Sequence, residues 1–85
     1  MNIELSDQAK EDIAHWNRVD PACTAKIERL LTSAMQTPHS GLGKPEPLKH
    51  GLSGYWSRRI DREHRLVYKV EGDTIYVASC RFHYC

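Results

Sequence analysis

The chain has 85 residues, 40% of them hydrophobic and 27% charged, with a formal net charge of +1. That is one domain, residues 1–85, and a chain of this size buries only roughly 60% of its unfolded surface, so its stability margin is modest or shared with a partner. No apolar run approaches the roughly 18 residues of a membrane span, and Cys23, Cys80 and Cys85 show no CxxC spacing, which together with a start (MNIELSDQAKED) lacking a basic and apolar leader predicts a reduced, cytoplasmic protein.

Asn2 to Leu5 reads as a short first strand. Ser6 or Asp7 then caps a helix by accepting from the free N–H groups of its first turn. Ala9, Ile13 and Trp16 fall on one helical face, with Trp16 expected in the core. The helix ends near Val19, because Asp20 as cap and Pro21 at the first helical position restart the chain. Cys23, Ile27, Leu30, Leu31 and Ala34 form an apolar stripe that carries the second helix to about Gln36. Thr37-Pro38 stops it. The next stretch, PHSGLGKPEP, is loop, and beyond it the period becomes strand-like. Strands are predicted at Leu48 to His50, Tyr55 to Ile60, His64 to Val70 and Thr74 to Arg81, joined by short turns. Trp56 is expected in the core, opposite in direction to Arg59. The fold class is α+β: an N-terminal helical hairpin packed on a small antiparallel β-sheet.

Charge is unevenly distributed along the chain. Lys44 to Lys69 holds seven Lys/Arg against three acids, whereas the first forty-three residues hold four bases and six acids. Such a basic segment usually has a polyanion to meet. Within it, a three-residue loop Asp61-Arg62-Glu63 sets Ile60 opposite His64 and Arg59 opposite Arg65. The two arginines then share a sheet face with Cβ atoms roughly 5 Å apart. Like charges so placed either flank an anion, for which the guanidinium fork suits a phosphate, or stand as two solvated side chains.

Glu46 lies between two prolines, which hold its backbone stiff and extended. It reads either as a general base or as a loop acid paired with Lys44 or Lys49. His83 and Tyr84 follow the last strand. A histidine, with a reference pKa of about 6.5, exchanges protons near neutral pH, and an exposed tyrosine stacks on RNA bases; the alternative is a frayed terminus. Arg58, Arg62 and Lys69 are assigned to general RNA attraction or solvated surface. His15, His39, His50 and His64 show no HxxxH or HExxH spacing, so no metal site is expected.

The segments GKPEPLKH, LSGYWSRRI, EHRLVY and CRFHY together resemble the YoeB (Txe/YoeB) toxins of bacterial toxin–antitoxin pairs, within the RelE/ParE superfamily. The resemblance implies a RelE-like fold and a ribosome-dependent mRNA interferase. Such toxins enter the ribosomal A site and cut the exposed codon without metal or other cofactor. The 2′-hydroxyl attacks the adjacent phosphate, giving 2′,3′-cyclic phosphate and 5′-hydroxyl ends. The resemblance casts Glu46 as the base and His83 as the acid. Arg65 stabilises the phosphate, Arg59 and Lys49 add charge, and Tyr84 positions the nucleotide. It also implies a cognate antitoxin, operator DNA bound through the antitoxin complex, and a homodimer. Family members typically end at the His-Tyr pair, whereas here Cys85 follows. Two other readings are a gyrase-inhibiting toxin of the same superfamily and a noncatalytic nucleic-acid-binding partner protein; neither gives Glu46 and His83 a task.

Overall fold

The structure is a computed structural model and describes residues 1–81, apart from the side chain of His50. In chain order it contains β1 (Asn2–Leu5), α1 (Asp7–Val19), α2 (Pro21–Gln36), β2 (Glu46–Pro47), a single 3-10 turn at His50–Leu52, β3 (Trp56–Arg59), β4 (Arg65–Glu71) and β5 (Thr74–Ser79). The strands form one sheet in the order β1-β5-β4-β3-β2. β2 through β5 pair antiparallel, but β1 lies parallel to β5, so the sheet is mixed. The helical hairpin covers one face of it, as expected.

Ser6 explains how the chain passes from sheet to helix. Its N–H donates to Val77 O (3.0 Å) and its hydroxyl to Ala78 O (2.6 Å). The same Oγ accepts from Ala9 N (3.0 Å), so one residue caps α1 and fastens it to β5. Asp20 caps α2 through its carbonyl, which accepts from Cys23 N (2.9 Å), and Pro21 starts the helix. The core lies between the layers. Ala9, Trp16, Ile27, Leu30 and Ala34 from the helices meet Leu66, Tyr68, Ile75 and Val77 from the sheet. Trp56 sits at its margin, half-buried and stacked on His39 (ring centroids 4.3 Å apart).

Two of the expected strands change for local reasons. The segment Leu48 to His50 is not a strand; the pairing falls on Glu46–Pro47 instead. Pro47 has no N–H to give, which an edge strand tolerates, and after Leu48 N donates to Tyr55 O (2.9 Å) the chain leaves the sheet. The last strand stops at Ser79 and not at Arg81. Helix α1 takes both backbone groups of Cys80: its N–H donates to Asp12 Oδ2 (3.0 Å) and its carbonyl accepts from Trp16 Nε1 (2.9 Å). Asp12 is therefore buried (3% exposed) and hydrogen-bonded, with Gln8 Nε2 donating to its other oxygen (2.9 Å).

Arg58 departs most from expectation. It was assigned to the surface, yet it is 0% exposed. Alternation along β3 places it on the same face as Trp56, toward the helices. Its Nε donates to Tyr68 Oη (2.9 Å). Nη1 donates to Ser33 Oγ (2.9 Å) and Leu42 O (2.8 Å), and Nη2 to Thr37 O (2.7 Å) and Ser40 O (2.9 Å). All five donors are satisfied, as burial demands. The cation also sits at the C-terminal end of α2, where the helix dipole favours positive charge. The loop over residues 37–43 is wrapped around it. Gly43 completes that loop at φ 86, where an added Cβ would stand 2.6 Å from Leu30 Cδ2 and 3.1 Å from Arg58 Cβ.

The β3–β4 turn is held by Asp61, whose Oδ1 accepts from Glu63 N (2.8 Å) and His64 N (2.7 Å). Ile60 N donates to His64 O (3.0 Å), fixing the three-residue loop and its register. Desolvation pushes the Asp61 carboxyl up, but the His64 and Glu63 N–H bonds, with the charges of His64 and Arg65, outweigh it and hold the group below its ordinary value.

Two outcomes are expected in urea denaturation. Arg58→Met removes five hydrogen bonds, one buried and four part-buried, and should lower stability by about 3 kcal/mol or more, whereas Arg62→Met, on the exposed turn, should change it by less than about 0.5 kcal/mol. Because the folded Asp61 carboxyl is lowered, its contribution is complete above the unfolded carboxyl range and is lost as pH falls through the folded value. The stability gap between the parent and Asp61→Ala should therefore narrow below about pH 4; an equal gap at pH 3 and pH 7 would contradict this.

Candidate functional site

The sheet face turned away from the helices gathers the polar side chains. On β3, Ser57 and Arg59 point to it; on β4, Arg65, Val67 and Lys69 do so, while Leu66 and Tyr68 enter the core. Directly paired residues share a face, so Glu46, paired with Ser57, belongs to it as well.

Arg59 pairs with Arg65, as the three-residue loop requires. Their Cβ atoms are about 5 Å apart, and Glu46 is diagonal to Arg59 at about 7–8 Å. Ser57 and Val67, both buried, form the floor between them. Glu46 is exposed, so its carboxylate is open to a ligand approaching this face. The Arg65 guanidinium is held by its own turn: Nη1 donates to Asp61 O (2.9 Å) and His64 O (3.1 Å). These two bonds hold one arginine in place through a single nitrogen. Arg59 also borders a cleft of about 400 Å³ formed with Lys26, Gly43, Lys44, Ile60, Asp61 and Arg62. A cationic cleft beside a facing arginine pair can hold more than one phosphate oxygen.

The strand carrying Glu46 is positioned from the core side. Arg58 fixes the loop up to Leu42, and Arg59 N donates to Gly43 O (2.7 Å). Between Gly43 and Pro45, Lys44 adopts φ 51. Pro45 disfavours the right-handed helical region for the residue before it, and Lys44 takes the left-handed one. Such a residue costs of order 1–3 kcal/mol and persists only where its surroundings over-determine it. Here the anchored loop on one side and the edge pairing of Glu46 on the other do so.

Lys49 lies beyond β2, exposed, in the segment leading to the 3-10 turn. Sheet pairing does not fix it beside Glu46, Arg59 and Arg65. His83, Tyr84 and Cys85 lie outside the described residues. The chain that leads to them is fixed as far as Cys80 by Asp12 and Trp16. Among the described residues, no group of three or more His, Cys, Asp or Glu side chains is arranged to hold a metal ion.

Two residues assigned to general charge have other surroundings. Arg58 is buried, as described above. Lys69 is half-buried: its Nζ lies 3.3 Å from Glu71 Oε1 and over the rings of Tyr55 and Tyr76 (5.3 and 5.8 Å to the centroids). The hydrogen bond that Lys69 donates to Glu71, together with that carboxylate's charge, holds the ammonium above its ordinary value. A signal for Arg58 existed in the sequence, since it stands two residues from Trp56 and two from Ile60, both inward-facing. In the Tyr55–Lys69–Tyr76 cluster, the register of the three-residue loop already carries on to Tyr55 opposite Lys69, but Tyr76 joins only through the β4–β5 register.

Similarity to known proteins covers nearly the whole chain. A family model described as the YoeB-like toxin of bacterial type II toxin–antitoxin systems matches residues 5–84. Toxin YoeB of Escherichia coli (strain K12) is 48% identical over 84 residues, spanning 99% of this chain and 100% of that one. The solved YoeB/ParE toxin from Agrobacterium tumefaciens superposes with a TM-score of 0.96 at 46% identity, over 99% of this chain and 100% of the other. The YoeB dimer from Staphylococcus aureus superposes at 0.93 with 47% identity, over 99% and 98% of the two chains. YoeB from that organism is also known in a heterotetrameric YoeB–YefM toxin–antitoxin complex, with a TM-score of 0.91, 47% identity and the same coverage. The helical half, which the sequence motifs touched least, falls within each of these matches. This chain therefore belongs to the YoeB-like toxins of bacterial type II toxin–antitoxin systems.

Proposed function

We propose that this protein is a ribosome-dependent mRNA endoribonuclease of the bacterial cytoplasm, cutting codons in the ribosomal A site and silenced by a cognate antitoxin. The observation that carries the reading is the placement of Glu46 on the same sheet face as the facing pair Arg59 and Arg65. A repulsive arginine pair beside an open carboxylate has little structural merit, and it suits a phosphodiester that must lose one proton and gain another.

In the proposed mechanism the Glu46 carboxylate removes the proton of a ribose 2′-hydroxyl. The 2′-oxygen attacks the adjacent phosphorus as the bond to the 5′-oxygen breaks. His83 gives its proton to that leaving oxygen. The products are a 2′,3′-cyclic phosphate and a 5′-hydroxyl. Negative charge grows on the phosphoryl oxygens in the transition state, where Arg65 and Arg59 are worth more than in the ground state. Lys49 adds to the field that draws the strand in, and Tyr84 positions the nucleotide. No metal enters this scheme.

The solved complex of a related toxin with YefM supports an antitoxin partner, and the solved dimer of that toxin supports a homodimer. Operator DNA is reached through the antitoxin complex. An acidic antitoxin segment would suit the basic face as it folds on binding.

The test is single-turnover cleavage of mRNA on programmed ribosomes. Glu46→Ala or His83→Ala should each slow cutting by about 10²-fold or more, and Arg65→Ala by about 10²-fold, with melting temperatures near that of the parent. Cutting by Glu46→Ala and His83→Ala at the parent rate would overturn the site. Intact mRNA with inhibited DNA supercoiling would favour the gyrase-directed alternative.

A further inference from the structure

The face that carries Arg59 and Arg65 continues into a second feature. An open cleft of about 490 Å³ lies beside β4 and β5, with Glu4, Ser6, Gln8, Tyr55, Lys69 and Tyr76 among its lining. Tyr76 pairs across the sheet with Lys69 on one side and with Glu4 on the other. Tyr76 is 39% exposed although its neighbours Ile75 and Val77 are buried. Tyr55 and Tyr76 bracket the Lys69 ammonium between them. Lys69 stands four residues along β4 from Arg65, about 13 Å at strand spacing, and side-chain alternation puts both on one face. A strand of RNA held at the arginine pair passes this cleft if it follows β4.

We propose that the cleft is a nucleobase subsite, holding a base of the RNA that flanks the reacting phosphate, stacked on Tyr76 beside Lys69 and Tyr55 with its edge toward Glu4 and Gln8. This rests on the RNA-cleaving reading above and names where that substrate is gripped. The volume is that of a small-ligand pocket, and stacking on sheet-borne aromatic rings is a common way to hold unpaired bases. Charge separates this occupant from an acidic peptide. Lys69 is already matched by Glu71 at 3.3 Å, and Glu4 adds a negative group to the lining, so the cleft offers no net positive charge to an acidic chain. A neutral, flat, hydrogen-bonding ring suits it better. Edge chemistry adds a preference. Glu4 only accepts, and one of the two Gln8 amide N–H groups already goes to Asp12 Oδ1 (2.9 Å). The Glu4 carboxylate therefore favours bases whose edge carries amino donors, such as cytosine, adenine or guanine, over uracil, whose single ring N–H lies between two carbonyls.

The experiment is an NMR titration of the full chain with a 2′-O-methylated hexanucleotide RNA, which lacks the attacking hydroxyl and cannot be cut. The Tyr55 and Tyr76 ring resonances should move upfield on binding. Tyr76→Ala should weaken binding by about 5- to 150-fold, Tyr76→Phe should bind like the parent, and an all-uridine probe should bind more weakly than an all-cytidine one. Unmoved rings, or Tyr76→Ala binding at the parent affinity, would overturn the subsite, as would displacement of the RNA from these rings by a polyglutamate peptide. A ribosomal cleavage assay on the same preparation separates the two readings. Active parent protein with unresponsive rings sinks the subsite alone, and base binding at these rings without any cutting leaves the subsite standing and sinks the enzymatic reading.

Discussion

A guanidinium buried beneath five acceptors organises this small protein. Arg58 extends from β3 into the helical layer and binds the carbonyls of Thr37, Ser40 and Leu42. Those residues form the only route from α2 to the edge strand that carries Glu46. Without the cation the loop over residues 37–43 would lack the donors that its inward carbonyls require, and β2, two residues long, has little pairing of its own to hold it. The position of the candidate base thus depends on a residue on the opposite face of the sheet. Arg59, the next residue in the chain, faces outward to the candidate phosphate. Adjacent arginines on one strand do unlike work because side chains alternate: one spends its charge on structure and the other leaves it available.

The second arginine of the facing pair is positioned by a different device. The Asp61 cap closes a three-residue turn, and that turn sets the register that brings Arg65 opposite Arg59. A one-residue slip would send Arg65 into the core and Leu66 to the surface. Turn chemistry and core pattern therefore demand the same register, and the arginine pair is a consequence of both. The repulsion in that pair is a standing cost, tolerated by a fold whose core contains Trp16, Leu30, Leu66 and Tyr68 with almost no exposure.

Much of this was legible in the residues themselves. Ser6, Asp20-Pro21 and Thr37-Pro38 punctuate the helices by local chemistry, and the structure places the helix ends where those signals fall. The Arg59–Arg65 pairing was readable because a short loop constrains register. Other features were not local. Nothing near Asn2 to Leu5 says that this strand pairs parallel with one some seventy residues later, and the end of β5 is decided by Asp12 and Trp16 on a distant helix. The charge of Arg58 points to the surface, but alternation with Trp56 and Ile60 marks its inward face. Glu46 acquired its role from resemblance, as did His83 and Tyr84, since a lone exposed acid and a terminal histidine carry no geometry of their own.

The central claim is that this face breaks RNA by attack of a neighbouring 2′-hydroxyl, with the ribosome presenting the strand. Mapping both ends of every cut in mRNA recovered from translating ribosomes tests it most directly. The account predicts cuts inside translated codons, with 5′-hydroxyl groups downstream and 2′,3′-cyclic phosphates upstream. Cuts that carry 5′-phosphates, cuts equally frequent in untranslated RNA, or mRNA left whole at full growth arrest would contradict it.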